Sequence, residues 1–140
     1  MSVKEYINKN KSRFLDELFE LLKIPSVSAD QIFKKEVDKA AEYLVHQFNN
    51  LDLDNVEKIK TDGHPIVYAE KILKDSIPTI LVYGHYDVQP ADPYELWETP
   101  PFEPNIRNNK IYARGACDDK GQMYMHLKAY ETLKQLGQIN

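Results

Sequence analysis

Residues 80–90 read "ILVYGHYDVQP", and how this stretch is read decides the architecture. Ile80 to Tyr83 form a continuous run of aliphatic, β-branched and aromatic side chains with no polar alternation. That pattern predicts a strand buried on both faces. The run stops at Gly84, which lets the chain leave the strand without a side-chain clash. Around it the hydrophobic period is helical first and mixed later. Ile7, Phe14, Leu15, Leu18 and Leu22 share one face of a predicted helix over 3–23, which Pro25 stops. Ser28 and Gln31, three apart, suggest a capping box for a second helix over 30–49, with Asp30 as a rival cap. Val37, Ala41, Leu44, Val45 and Phe48 form its apolar face. "VEKIK" and "IVYAEKIL" flank an Asp62-Gly63 turn and predict a hairpin. Asn108-Asn109 divides two short β-prone pieces in the same way, because asparagine tolerates the positive φ of a tight turn. A last helix over 119–137 carries Met123, Leu127, Tyr130 and Leu133 on one face. Helices followed by mixed strands and helices predict an α/β fold: a layered sheet with flanking helices.

Composition narrows the function classes. A chain of 140 residues argues for one domain. Its net charge of −4 and the lack of a basic block exclude a nucleic-acid surface as the expected partner. No apolar run approaches membrane-spanning length, and the N-terminus has no signal-like apolar region, so no membrane partner is expected. The single cysteine, Cys117, has no internal disulfide partner, which points to a reducing, cytoplasmic setting.

In α/β sheets, residues that handle ligands gather beyond the carboxyl ends of strands. His85 and Asp87 stand there, two apart. A neutral imidazole is a good zinc ligand. A carboxylate accepting the other ring N–H would fix the tautomer. The same pair could equally be a surface His and Asp in a loop. A second constellation, "YARGACDDKGQ" (112–122), opens the last helix. Asp118 and Asp119 could be a solvated helix cap. Alternatively, an Asp carboxylate there could bridge two metal ions, as in two-metal hydrolases.

Read together, the segments "GHYDVQP", "W…PPFEP" and "RGACDDKG", with "LLKIPSVS" at 21–28, resemble the zinc-dependent dipeptidase family that includes carnosine dipeptidase, aminoacylase and glutamate carboxypeptidase. Pairing D-V-Q-P with D-D-K-G resembles the dipeptidase branch. The resemblance implies that residues 1–140 are the N-terminal part of a di-zinc exopeptidase catalytic domain, with the rest of that domain and a dimerisation domain absent. It implies that His85 binds one zinc ion, that Asp87 orients His85 as part of the catalytic machinery, and that Asp118 is shared by both metals. The Asp118–Asp119 peptide bond is expected to be cis. The implied reaction is hydrolysis of peptide bonds in dipeptides or short peptides, with two zinc ions, or manganese or cobalt in their place. N-acyl amino acid deacylation is the near alternative. The full-length enzyme would be a homodimer.

Ala113 stands where the family commonly has Gly, Asn108-Asn109 replaces an Asp-Gly turn, and Cys117 takes a place usually held by Thr, Ser or Ala. Cys117 is read as a small buried thiol, or else as a thiol that competes for metal or is prone to oxidation. His46, His64 and His126 match no family ligand. Trp97 and Phe102 are read as pinning the connecting loop. The family's general base lies in a Glu pair, and no Glu-Glu occurs in the 140 residues, so no general base is assigned. This chain is therefore expected to be inactive alone. A non-enzymatic short protein that binds metal or a partner through an unfinished sheet is the other reading.

Overall fold

A computed structural model describes residues 1–139. Helix α1, Val3–Leu22, begins at a capping box: Ser2 Oγ accepts from the Glu5 N–H at 3.3 Å, and the Glu5 carboxylate accepts from the Ser2 N–H at 2.7 Å. It ends ahead of Pro25, as the sequence predicts. Helix α2, Lys34–Asn49, follows a single 3₁₀ turn, Gln31–Phe33. Asp30 caps that turn, accepting from the Ile32 N–H at 3.0 Å. The Ser28–Gln31 capping box does not form, because the Ser28 hydroxyl has another partner.

Helix α3, Lys120–Gln135, packs against α1. Leu21, Ile24, Ala40, Leu44, Leu51, Met123, Tyr124 and Leu127 make the core where the three helices meet. Each fully buried Leu there contributes about 1.5–3 kcal/mol. A partly buried ion network reinforces the α1–α3 contact. The Glu131 carboxylate accepts from Arg13, from Lys128 Nζ at 2.8 Å and from Tyr6 Oη at 3.3 Å.

Both predicted hairpins form. Strands β1 (Asn55–Ile59) and β2 (Ile66–Glu70) pair antiparallel, with Glu57 opposite Tyr68, and lie against α2. Strands β3 (Asn105–Arg107) and β4 (Lys110–Tyr112) turn at Asn108 (φ 50°) and Asn109 (φ 60°), the two positive dihedrals that a two-residue turn needs. The fold is α/β, with helices and short antiparallel ribbons in one chain.

The run before Gly84 differs from its sequence reading. Residues 79–84 pair with no strand among the described residues, and Ile80, Leu81 and Tyr83 are 84%, 88% and 86% exposed. A strand owes burial on both faces to neighbours on both faces, and the described residues supply none. Just beyond it the chain is anchored: Val88 bridges in parallel to Val27 and is buried.

Candidate metal centre

Gly84 is required by close approach rather than by dihedral angle. A Cβ there would lie 2.6 Å from Met123 Cγ and 3.0 Å from an Asp119 carboxylate oxygen. The next residue is tied at the same point, since the His85 backbone N–H donates to Asp119 Oδ2 at 3.1 Å. His85 Nδ1 sits 3.0 Å from Asp87 Oδ1 and 3.2 Å from the Asp87 carbonyl oxygen. Both are acceptors, so Nδ1 carries the proton in this geometry. Nε2 then presents its lone pair, and it faces Asp118 Oδ1 at 3.1 Å.

Two acceptors that close need something positive between them. A second proton on the imidazole would serve. Burial pulls the pKa of His85 down, but the Asp87 carbonyl and carboxylate, with Asp118 and Asp119, outweigh it and hold it above the usual histidine value. A divalent cation would serve as well. Ligand atoms at about 2.1 Å from a tetrahedral zinc stand roughly 3.4 Å apart, close to the observed separation. The nitrogen and oxygen donors therefore fit a first-row metal. The Asp118 side chain is 77% exposed, so its carboxylate is open to solvent and to further ligands. Among the described residues no group of three or more His, Cys, Asp or Glu converges on a single metal position. What the chain presents is His85 and Asp118, with Asp87 behind the histidine.

Two segments hold these residues in place. The first is 24–28, which runs beside 86–88. The Val88 N–H donates to Ser26 O at 2.9 Å, and Ser26 Oγ donates to Tyr86 O at 2.7 Å. Ser28 Oγ donates to Asp87 Oδ2. The second is the loop 113–121, where Gly115 adopts φ +83° and the Asp118–Asp119 peptide is cis, as the resemblance implies. Gly121 lies so close to this loop that a Cβ would stand 2.1 Å from Ala116 O. Lys120 is wholly buried beneath the loop, and its ammonium donates to Leu21 O at 3.0 Å and to Ile24 O at 2.7 Å. Burial pushes its pKa down to about 7, opposed only in part by Asp87. Lys120 thus ties the aspartate pair to the C-terminal end of α1. Arg114 donates to Pro90 O at 2.8 Å and stacks over Trp97, whose indole N–H donates to Ala91 O at 2.8 Å, so Trp97 helps hold the connecting loop.

Cys117 is exposed, which corrects its reading as a buried thiol. Three residues on in the same segment, Lys120 is buried instead. His46 and His126 are exposed too, whereas His64 places Nε2 3.2 Å from Ser28 O. Sequence reasoning passed over three residues around the site: Ser28, Asp119 as the anchor of the His85 backbone, and Lys120. Only the "SVS" and "DDKG" segments that contain them offered a signal.

Residues 81–140 match Peptidase family M20/M25/M40. A Cys-Gly metallodipeptidase of Schizosaccharomyces pombe is 35% identical across 95% of this chain, which spans 30% of that protein's length. Among solved structures, human carnosine dipeptidase 1 superposes with a TM-score of 0.89 at 27% identity, over 97% of this chain and 31% of that one. An M20 family metallo-carboxypeptidase from Sulfolobus solfataricus gives 0.80 at 42% identity, over 89% and 28%. This chain spans about a third or less of each of these relatives. Residues 81–140 thus match peptidase family M20/M25/M40, and over nearly its whole length the chain is similar to metallodipeptidases.

Proposed function

We propose that this chain holds the first part of the metal site of a peptidase that hydrolyses dipeptides or short peptides using two zinc ions, with manganese or cobalt as possible replacements. The observation that carries the reading is the His85 Nε2–Asp118 Oδ1 pair, 3.1 Å apart with Nδ1 already committed to Asp87. His85 and Asp118 would hold the metal. Once bound, it would acidify a water and polarise the scissile carbonyl. Asp87 keeps the proton on Nδ1, so that Nε2 stays a donor of electrons. Asp119 fixes the His85 backbone, and Lys120 fixes the loop that carries Asp118. No described residue is assigned as general base, so the chain by itself is expected to bind metal without turning over peptide. A homodimeric, cytoplasmic enzyme is the setting in which this part would work. Dipeptides are proposed as substrates because the relatives' names include a Cys-Gly and a Beta-Ala-His dipeptidase.

The test is zinc or cobalt binding to the purified chain, read by competition with a chromophoric chelator. His85→Ala and Asp118→Ala should each weaken binding at least tenfold. Unchanged affinity in both would overturn the assignment.

The exposed Ile80–Tyr83 run favours a second reading, in which the chain is a non-enzymatic module that docks a partner along this apolar run. In that case it should be monomeric and well folded at high concentration. Self-association relieved by Leu81→Lys, with metal binding intact, would favour the peptidase reading.

A further inference from the structure

We infer that Ser28 is a positioning residue for the metal site, the far end of a relay that runs Ser28–Asp87–His85. The inference rests on the metal-site reading above. Asp87 has two carboxylate oxygens, and each is engaged: Oδ1 by His85 Nδ1 at 3.0 Å, and Oδ2 by the Ser28 hydroxyl. A carboxylate held at one oxygen still rotates about its Cβ–Cγ bond. Donors at both oxygens fix its plane, and with it the plane of the imidazole that leans on it.

Ser28 is itself well placed for this task. Its backbone follows the segment paired to the site by the Val88–Ser26 hydrogen bond and the Val27–Val88 bridge, and its carbonyl meets His64 Nε2 at 3.2 Å. The hydroxyl has no capping duty, because Asp30 caps the following turn. Ser28 and Asp87 lie 59 residues apart in sequence, so their contact depends on two segments meeting rather than on local chain geometry. An aliphatic side chain at 28 would leave Oδ2 without its donor, and the histidine would be aimed less well.

The experiment compares Ser28→Thr with Ser28→Val, which have nearly the same shape and differ in the hydroxyl. Zinc affinity is measured by chelator competition, with His85→Ala as control, and stability by urea unfolding. Partners that orient a ligand in this way are worth about 10–100-fold in metal affinity. The Val variant should lose that much and the Thr variant should recover most of it. The loss should vanish in an Asp87→Asn background. In metal-free protein with neutral imidazole, nitrogen NMR should show one His85 tautomer in the parent chain and a mixture in the Val variant. Equal affinity and equal tautomer populations in Thr and Val variants would overturn the role of Ser28. If His85→Ala also left affinity unchanged, it is the metal-site reading that would fail.

Discussion

Replacing Gly121 with Ala sets two effects of opposite sign against each other, and the structure says which is larger. Gly121 is the second residue of α3, where Ala is favoured over Gly by about 0.8–1 kcal/mol. On an open helix face the substitution would stabilise the chain. Here the new Cβ would stand 2.1 Å from Ala116 O and 3.1 Å from Ala116 C. Both are backbone atoms, so no side chain can swing away. The loop must open, and doing so stretches the bond from the Gly121 N–H to Gly115 O, now 3.2 Å. Overpacking costs about 1–3 kcal/mol, and a weakened hydrogen bond adds about 0.5–1.5 kcal/mol. Set against the helix gain, the net is a destabilisation of roughly 1–3 kcal/mol. Urea unfolding followed by the fluorescence of Trp97, the single tryptophan, reads this directly. With a slope of about 1–3 kcal/mol per molar urea, the midpoint should fall by roughly 1 M. Because Ala116 lies two residues before Asp118, zinc affinity should fall along with stability. An unchanged or raised midpoint would refute the argument, since it would mean that the loop yields freely.

Lys120 makes stability depend on pH in a direction opposite to that of a paired lysine. Below about pH 7 the folded and unfolded chains both carry the proton, and the cost of burying the charge is felt in full. Between about 7 and the ordinary lysine value of 10.5 the unfolded chain binds more protons, so stability should rise with pH. At pH 9 the gain over pH 6 should be on the order of 2–3 kcal/mol relative to Lys120→Met. Parallel urea midpoints for the two proteins across that range would remove the effect. Glu131 behaves in the opposite sense. Burial pushes its pKa up, but Arg13 and Lys128 outweigh that and hold it below the usual value of 4.5. Its contribution should therefore be complete above about pH 4.5 and be lost as the pH falls through the lowered value. Glu131→Gln should cost about 1–3 kcal/mol at neutral pH and flatten the acid limb of the stability curve. An acid limb that matches the parent chain would show that the ion network contributes nothing.

Much of the local structure was legible in the residues. The apolar spacing of Leu18 and Leu22, and of Val37, Ala41 and Leu44, marks helices because a helix returns to the same face every 3.6 residues. Asn108-Asn109 marks a tight turn because few side chains accept two consecutive positive φ angles. The positions of His85, Asp87 and Asp118 and the expected cis bond came from motif resemblance, and the structure brings the three side chains together. The helix start was read less well. Ser28 and Asp30 are both capable caps, and the choice between them depended on which one had a competing partner.

What the sequence by itself determined is whatever depends on near neighbours: helix periods, turn dihedrals, and the spacing that lets His85 meet Asp87 two residues on. What only the tertiary structure decided is whatever depends on segments crossing. Ile80 to Tyr83 are strongly apolar, yet apolarity alone cannot bury them, because burial requires another strand or helix alongside. Lys120 is a basic residue, yet it lies inside because the carbonyls of Leu21, in the last turn of α1, and Ile24, just past it, are there to receive its ammonium. Cys117, small and apolar, is nonetheless exposed. The Ser28 hydroxyl bonds to a carboxylate 59 residues away, and no local pattern encodes that distance. Periodicity records which face a residue shares with its neighbours along the chain, whereas the partner across the fold is set by packing.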